Sequence, residues 1–148
     1  MADGTSALDR IDRTIIGLLQ RDGRISWREL ADRVHLVPSS VADRVRRLEE
    51  RGVLLGYTAR VDPAALGRSV RAVVDVSLAP GVDPEAFEAE LARREEVSLA
   101  MYVTGPADYT LVVDCAGAAG LDTFVRWLKA GGKVARTESK LVLRPIIG

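Results

Sequence analysis

The apolar positions of the 148-residue chain change period about halfway along. Leu8, Ile11, Ile15, Leu18 and Leu19 recur at three- and four-residue spacing, the stripe of an amphipathic helix. Asp9 stands where an N-cap belongs, Asp12 falls in the first turn, and Asp22-Gly23 ends the segment. Ser26-Trp27-Arg28-Glu29 has capping-box spacing and opens a short second helix with Leu30 and Val34 inside. Pro38 suits the first turn of a third helix running to about Arg51 and stopping at Gly52. Residues 53–61, Val-Leu-Leu-Gly-Tyr-Thr-Ala-Arg-Val, are strand-prone but have no local partner, so pairing with a second subunit is expected. Asp62-Pro63 and Ala64 to Gly67 read as a turn-like hinge.

Beyond residue 68 the period becomes two. Val74, Val76 and Leu78 predict one strand face; Val97, Leu99, Met101 and Val103 a second; Tyr109, Leu111, Val113 and Cys115 a third; and Thr137, Ser139, Leu141 and Leu143 a fourth. Asp83-Pro84-Glu85 opens a helix carrying Phe87 and Leu91, and Leu121, Phe124, Val125 and Leu128 stripe another that stops at Gly131-Gly132. The order is βαββαβ, a ferredoxin-like arrangement, so the chain reads as α+β: a helix-turn-helix followed by a split-βαβ unit. Two helices cover only one sheet face. The other, read as Val73, Asp75, Ala100, Tyr102, Thr110, Val112 and Val142, is too apolar for water, which predicts a homodimer through it. The boundaries read from this pattern are 1–55, a linker and hinge at 56–68, and 69–148.

The third helix is two-sided. Val41, Val45 and Leu48 share one side, and Ser39, Asp43, Arg46 and Arg47 the other, with Ser40 and Arg44 flanking. In a helix-turn-helix this helix enters the major groove of double-stranded DNA, where Ser39, Ser40 and Asp43 can read base edges. Arg44, Arg46, Arg47 and Arg51 can reach phosphates or guanine. The same face also fits a solvated helix with Asp43–Arg47 and Arg46–Glu50 pairs. Trp27 reads as a packing or backbone contact.

Composition narrows the classes. Twenty-one basic and 21 acidic residues cancel, excluding nucleic-acid binding by bulk charge. Residues 1–68 hold 12 Arg, no Lys and 10 acids; residues 69–148 hold 6 Arg, 3 Lys and 11 acids, a weak basic-to-acidic split. The Lys-free half fits either codon bias or Arg-rich phosphate contact. One Cys and one His leave no Cys-based cluster, and any histidine chemistry would rest on His35. Cys115 reads as a small apolar strand residue. Trp127 falls off its helix's apolar stripe. No apolar run spans a bilayer, and Met1 to Leu8 lacks a leader pattern, so a cytoplasmic protein associated with the nucleoid is expected. No metal or cofactor is expected.

Several segments resemble one family. Leu8-Asp9-Arg10-Ile11-Asp12 and Leu19-Gln20-Arg21-Asp22-Gly23-Arg24-Ile25-Ser26 are similar to the first helix and turn of the Lrp/AsnC, or feast/famine, transcription regulators. Arg44-Val45-Arg46-Arg47-Leu48-Glu49 with Gly52-Val53-Leu54-Leu55-Gly56-Tyr57-Thr58-Ala59 resembles the family's recognition helix and linker strand. Thr104-Gly105-Pro106-Ala107-Asp108-Tyr109 looks like its Gly-x-x-Asp-Tyr effector loop. The resemblance implies a winged-type helix-turn-helix, a linker strand, and a βαββαβ effector and assembly domain. It also implies a palindromic operator, dimers that build tetramers or octamers, and a small effector, usually an amino acid, bound between dimers. By that resemblance Tyr102, Thr104, Gly105, Ala107 and Asp108 line the effector site, and Thr137 and Ser139 contribute from across the interface. Plain turn geometry accounts equally for Gly105 and Asp108. Val37 stands where the family has Ser, Lys133-Val134 replaces a Pro-Gly-Val lead, and Ser139 replaces Thr. The same architecture also occurs in haem-biosynthetic decarboxylases, whose histidine beside the tetrapyrrole has no counterpart in residues 69–148. An effector-independent architectural DNA-binding protein is the third reading.

Overall fold

The computed structural model describes residues 7–146, so the first six residues of the segment without a leader pattern lie outside the described residues. The chain divides into two compact units at Arg60 and Val61.

The first unit contains helices α1 (Arg10–Arg21), α2 (Trp27–Val34) and α3 (Pro38–Glu50). Asp9 caps α1 in a complete capping box with Asp12. Ser26 caps α2 from the Glu29 N–H, but Glu29 reaches forward to Arg33 at 3.4 Å, so only half of that box forms. His35, at φ 56°, closes α2 in the left-handed region, and Val37 precedes α3 with no side-chain cap. The turn between α2 and α3 is therefore His35 to Val37. Ile15, Leu19, Leu30, Ala31, Val41, Val45 and Leu48 form the buried core of this unit.

The expected strand at 53–61 does not form, and no wing hairpin follows α3 among the described residues. A strand exists only through a ladder, and among the described residues no segment pairs with this one. Leu54 instead packs on the helical core, and the Tyr57 hydroxyl donates to Glu49 at 2.8 Å. Leu55 is left 93% exposed. Residues Pro63–Leu66 form a 3-10 turn capped by Asp62.

The second unit is β1 (Val70–Leu78), α4 (Pro84–Leu91), β2 (Val97–Tyr102), β3 (Tyr109–Cys115), α5 (Gly117–Lys129) and β4 (Val134–Leu141). The sheet order is β2-β3-β1-β4, with every neighbouring pair antiparallel. Phe87 and Leu91 of α4 and Phe124 and Leu128 of α5 bury one sheet face with Ala72, Val74, Val76, Tyr109, Leu111 and Val113.

One strand departs from the alternation. The register of β2 against β3 shifts between Val97 and Leu99, a bulge that absorbs Ser98. Val97 stays beside the core residue Val113, but Leu99 then lies beside Val112 and Met101 beside Thr110. Ala100 and Tyr102 swing to the helix side, next to Leu111 and Tyr109. This reverses the expected faces of β2, because one inserted residue exchanges every side chain beyond it. The open face is thus Val73, Asp75, Leu99, Met101, Thr110 and Val112, with Glu138 and Lys140 from β4. Its polar members pair among themselves: Asp75 accepts from Thr110 and from Lys140, both at 2.7 Å.

Candidate functional site

Helix α3 presents the first candidate surface. Its inner residues Val41, Val45 and Leu48 are at most 1% exposed, which fixes the opposite side outward. Ser39, Asp43, Arg46, Arg47 and Arg51 are exposed, and Ser40 is half-buried. Arg46 bridges Asp43 at 2.8 Å and lies 3.8 Å from Glu50. The expected Asp43–Arg47 pair is absent, since Arg46 takes that carboxylate. Arg47 makes no side-chain hydrogen bond or ion pair among the described residues, so an exposed guanidinium stands ready on the outward face. The start of α3 has no side-chain cap, although the Ser40 N–H already donates to the Val37 carbonyl at 3.0 Å.

Arg44 corrects the expectation of a free phosphate ligand. Its Nη1 donates to Asp9 at 2.6 Å and to Asp12 at 2.7 Å, tying α3 to the start of α1. Nothing local in the sequence signals this, because the partners lie 35 and 32 residues away. Asp9 is held below its ordinary 3.8, first by the Asp12 N–H and then by the Arg44 guanidinium. Lys140 and Thr110 lower Asp75 likewise. A depressed carboxyl stabilises the fold above its unfolded value and loses that contribution as pH falls through the lower folded value. Thermal stability is therefore expected to fall below about pH 4. Asp9→Asn, which keeps the cap, and Asp75→Asn should each flatten that acid slope in melts from about pH 5 to about pH 2.5.

The second candidate surface is the loop after β2. The Val103 N–H donates to the Asp108 carbonyl at 2.9 Å, and the Asp108 N–H donates to Val76 at 3.0 Å. Oδ2 of Asp108 accepts from the Leu78 N–H at 2.8 Å, so one carboxylate oxygen is spent anchoring the loop to β1. Gly105 has φ +128°, a conformation that disfavours a side chain, and Thr104 and Gly105 face solvent while Ala107 and Asp108 are half-buried. Tyr102 is 74% exposed and packs on Tyr109 with ring centroids 5.2 Å apart. Tyr109 donates to Glu88 at 2.8 Å; burial and that carboxylate push its hydroxyl up to about 12. A cleft of about 510 Å³ runs past Tyr102, Tyr109, Glu88 and Leu91.

Thr137 and Ser139 lie beside Val76 and Val74 on the same sheet side as Tyr102. Two strands intervene, so Tyr102 and Thr137 stand about 14 Å apart across the sheet. Tyr102 therefore does not meet these two hydroxyls within one chain, whereas Pro106 and Ala107 of the loop line a small cavity with Arg136 and Glu138, the neighbours of Thr137. No helix among the described residues is long and apolar enough to cross a membrane.

Comparison with known proteins matches a family model to each of the two units. Residues 8–49 match the AsnC-type helix-turn-helix domain and residues 71–147 the Lrp/AsnC ligand binding domain. The chain is 39% identical to the HTH-type transcriptional regulator LrpA of Mycobacterium tuberculosis, across 93% of this chain and 91% of that protein. It is 44% identical to the leucine-responsive regulatory protein of Salmonella typhimurium, across 70% of this chain and 65% of that protein. A feast or famine regulatory protein from M. tuberculosis, solved in complex with L-methionine, superposes with a TM-score of 0.89 at 38% identity, covering 96% of each chain. A transcriptional regulator from Neisseria meningitidis, also an L-methionine complex, superposes at 0.90 with 30% identity over 96% of this chain and 94% of that one. The helix-turn-helix with its outward α3 face, the four-stranded sheet with two helices and the match along nearly the whole chain converge: this protein is a member of the Lrp/AsnC family of DNA-binding transcription regulators.

Proposed function

We propose that this regulator reads a palindromic operator as a dimer and adjusts its assembly or DNA affinity to a small effector, an amino acid. The observation that carries the DNA reading is the outward side of α3, where Ser39, Asp43 and an Arg47 with no partner among the described residues project above a fully buried inner side. Ser40, Arg46 and Arg51 extend that surface at its edges. Two copies join through the open sheet face, with residues 53–61 supplying a strand once a second chain is present, and higher assemblies build from that dimer. In this reading residues 1–55 bind DNA, 56–68 link, and 69–148 sense and assemble. The protein works in the cytoplasm, on the nucleoid, and as a regulator rather than an enzyme, as its relatives' names support.

The effector site draws Tyr102, Thr104, Gly105, Ala107 and Asp108 from one copy and Thr137 and Ser139 from another. A Gly-containing turn offers N–H groups to an α-carboxylate, and the spare oxygen of Asp108 suits an α-ammonium. L-methionine is the first ligand to try, because two similar structures hold it. Calorimetry against the twenty amino acids is expected to give saturable heat for at least one, which Asp108→Ala abolishes. Flat titrations for all twenty would leave an effector-independent DNA-binding protein.

A further inference from the structure

The start of α1 and the middle of α3 share four carboxylate oxygens. Asp9 Oδ1 accepts from the Asp12 N–H at 2.7 Å, and Asp12 Oδ2 accepts from the Asp9 N–H at 3.3 Å. The two remaining oxygens, Asp9 Oδ2 and Asp12 Oδ1, both take Arg44 Nη1, at 2.6 and 2.7 Å. Each carboxylate closes the helix start with one oxygen and grips α3 with the other. The Asp12 and Arg44 side chains are only 13% and 23% exposed, so solvent competes weakly for this bond.

The rest of α3's attachment is less directional. Its start has no side-chain cap, Val41, Val45 and Leu48 hold it by apolar packing, and the Tyr57 hydroxyl bonds Glu49 only at its C-terminal end. Apolar contact tolerates a small rotation about the helix axis; two charge-assisted bonds meeting at one nitrogen do not. Base reading is likewise directional, whereas attraction to the phosphate backbone survives a small misplacement.

We propose that Arg44 is a positioning residue for DNA recognition: bridged to Asp9 and Asp12, it fixes the rotation of α3 so that Ser39, Asp43 and Arg47 meet base edges in register, and it does not itself touch DNA. This rests on the reading that α3 reads bases. The proposal separates discrimination from total affinity, and that separation is measurable.

The probe is a duplex selected by the wild-type protein from random sequence, compared with a scrambled duplex of equal length over a range of salt. Arg44→Met and Asp9→Asn are each expected to lower the selected-to-scrambled affinity ratio about tenfold. The slope of log affinity against log salt should stay at the wild-type value in both. Arg44→Lys should recover most of the ratio, because a single Nζ can bridge both carboxylates as Nη1 does. A slope shallower by about one in Arg44→Met, with wild-type discrimination in Asp9→Asn, would make Arg44 a phosphate ligand and overturn the proposal. A wild-type ratio in both variants overturns it too. Should Arg44→Met fail to fold with the Asp12 carboxylate left unpaired, Asp9→Asn, which retains the cap, decides alone. A wild-type protein that selects no duplex at all refutes the base-reading premise instead, so the two failures are distinguishable.

Discussion

Replacing Val112 by aspartate is expected to convert the proposed dimer to monomers and to weaken operator binding by about two to four orders of magnitude. Val112 sits mid-sheet on β3, flanked on the open face by Leu99 and Val73. Leu99 and Met101 are 49% and 39% exposed there, an apolar surface that a second copy would cover. The polar members of that face already satisfy one another through Asp75, Thr110 and Lys140. A new carboxylate at 112 finds no such partner, and burying it unpaired costs about 3–5 kcal/mol in each copy. The single chain should tolerate the change, since Val112 points away from the Phe87, Phe124 and Leu128 core. Sedimentation should show the mass of a single chain with unchanged circular dichroism. DNA affinity should then fall because each α3 binds alone, losing the effective concentration its tethered copy supplies. A Val112→Asp protein that stays dimeric would place the interface elsewhere.

The second large effect is at Arg47. Its guanidinium is exposed and without a partner among the described residues, so alanine there removes no intramolecular bond. The melting temperature should hold within a degree or two. Losing one bidentate base contact costs about 1–3 kcal/mol, and both copies in a dimer lose it, giving on the order of a hundredfold weaker binding. If Arg47 meets phosphate instead, the loss is spread evenly over all sequences and the salt slope drops by about one per copy. Arg46→Ala should do less, because Arg46 is already engaged with Asp43 and Glu50. Wild-type affinity in Arg47→Ala would remove α3 from the DNA interface.

These expectations show which parts of the molecule the sequence made legible. The helices of the first unit were readable because their signals are local: Asp9 as cap, Pro38 at the first turn, and Val41, Val45 and Leu48 at helical spacing. The order of strands and helices in the second unit was readable for the same reason. Face assignment in β2 was not. Val97, Leu99 and Met101 alternate cleanly, and nothing in that string announces a bulge at Ser98; the bulge emerges only from pairing with β3. Residues 53–61 have strand propensity, but a ladder is a property of two segments, and this chain supplies one. Arg44 looked like its neighbours Arg46 and Arg47, and only the fold, by bringing Asp9 and Asp12 beside it, separates a structural guanidinium from a free one. The loop after β2 was legible as Gly105 and Asp108 in a turn. The anchoring of Asp108 to the Leu78 N–H was not, since it crosses 30 residues.

The zero net charge acquires a specific meaning in this account. With 21 charges of each sign, attraction to the phosphate backbone is modest, so operator affinity must come from directional contacts made by two copies together. The measurement that tests this most directly is selection of duplexes from random sequence by the wild-type protein at physiological salt, followed by footprinting of the selected pool. The expected result is an inverted-repeat sequence with two protected half-sites about one helical turn apart, roughly 10 base pairs centre to centre or a multiple of that spacing. A pool that shows no enriched sequence, bound as tightly as scrambled DNA, would contradict it.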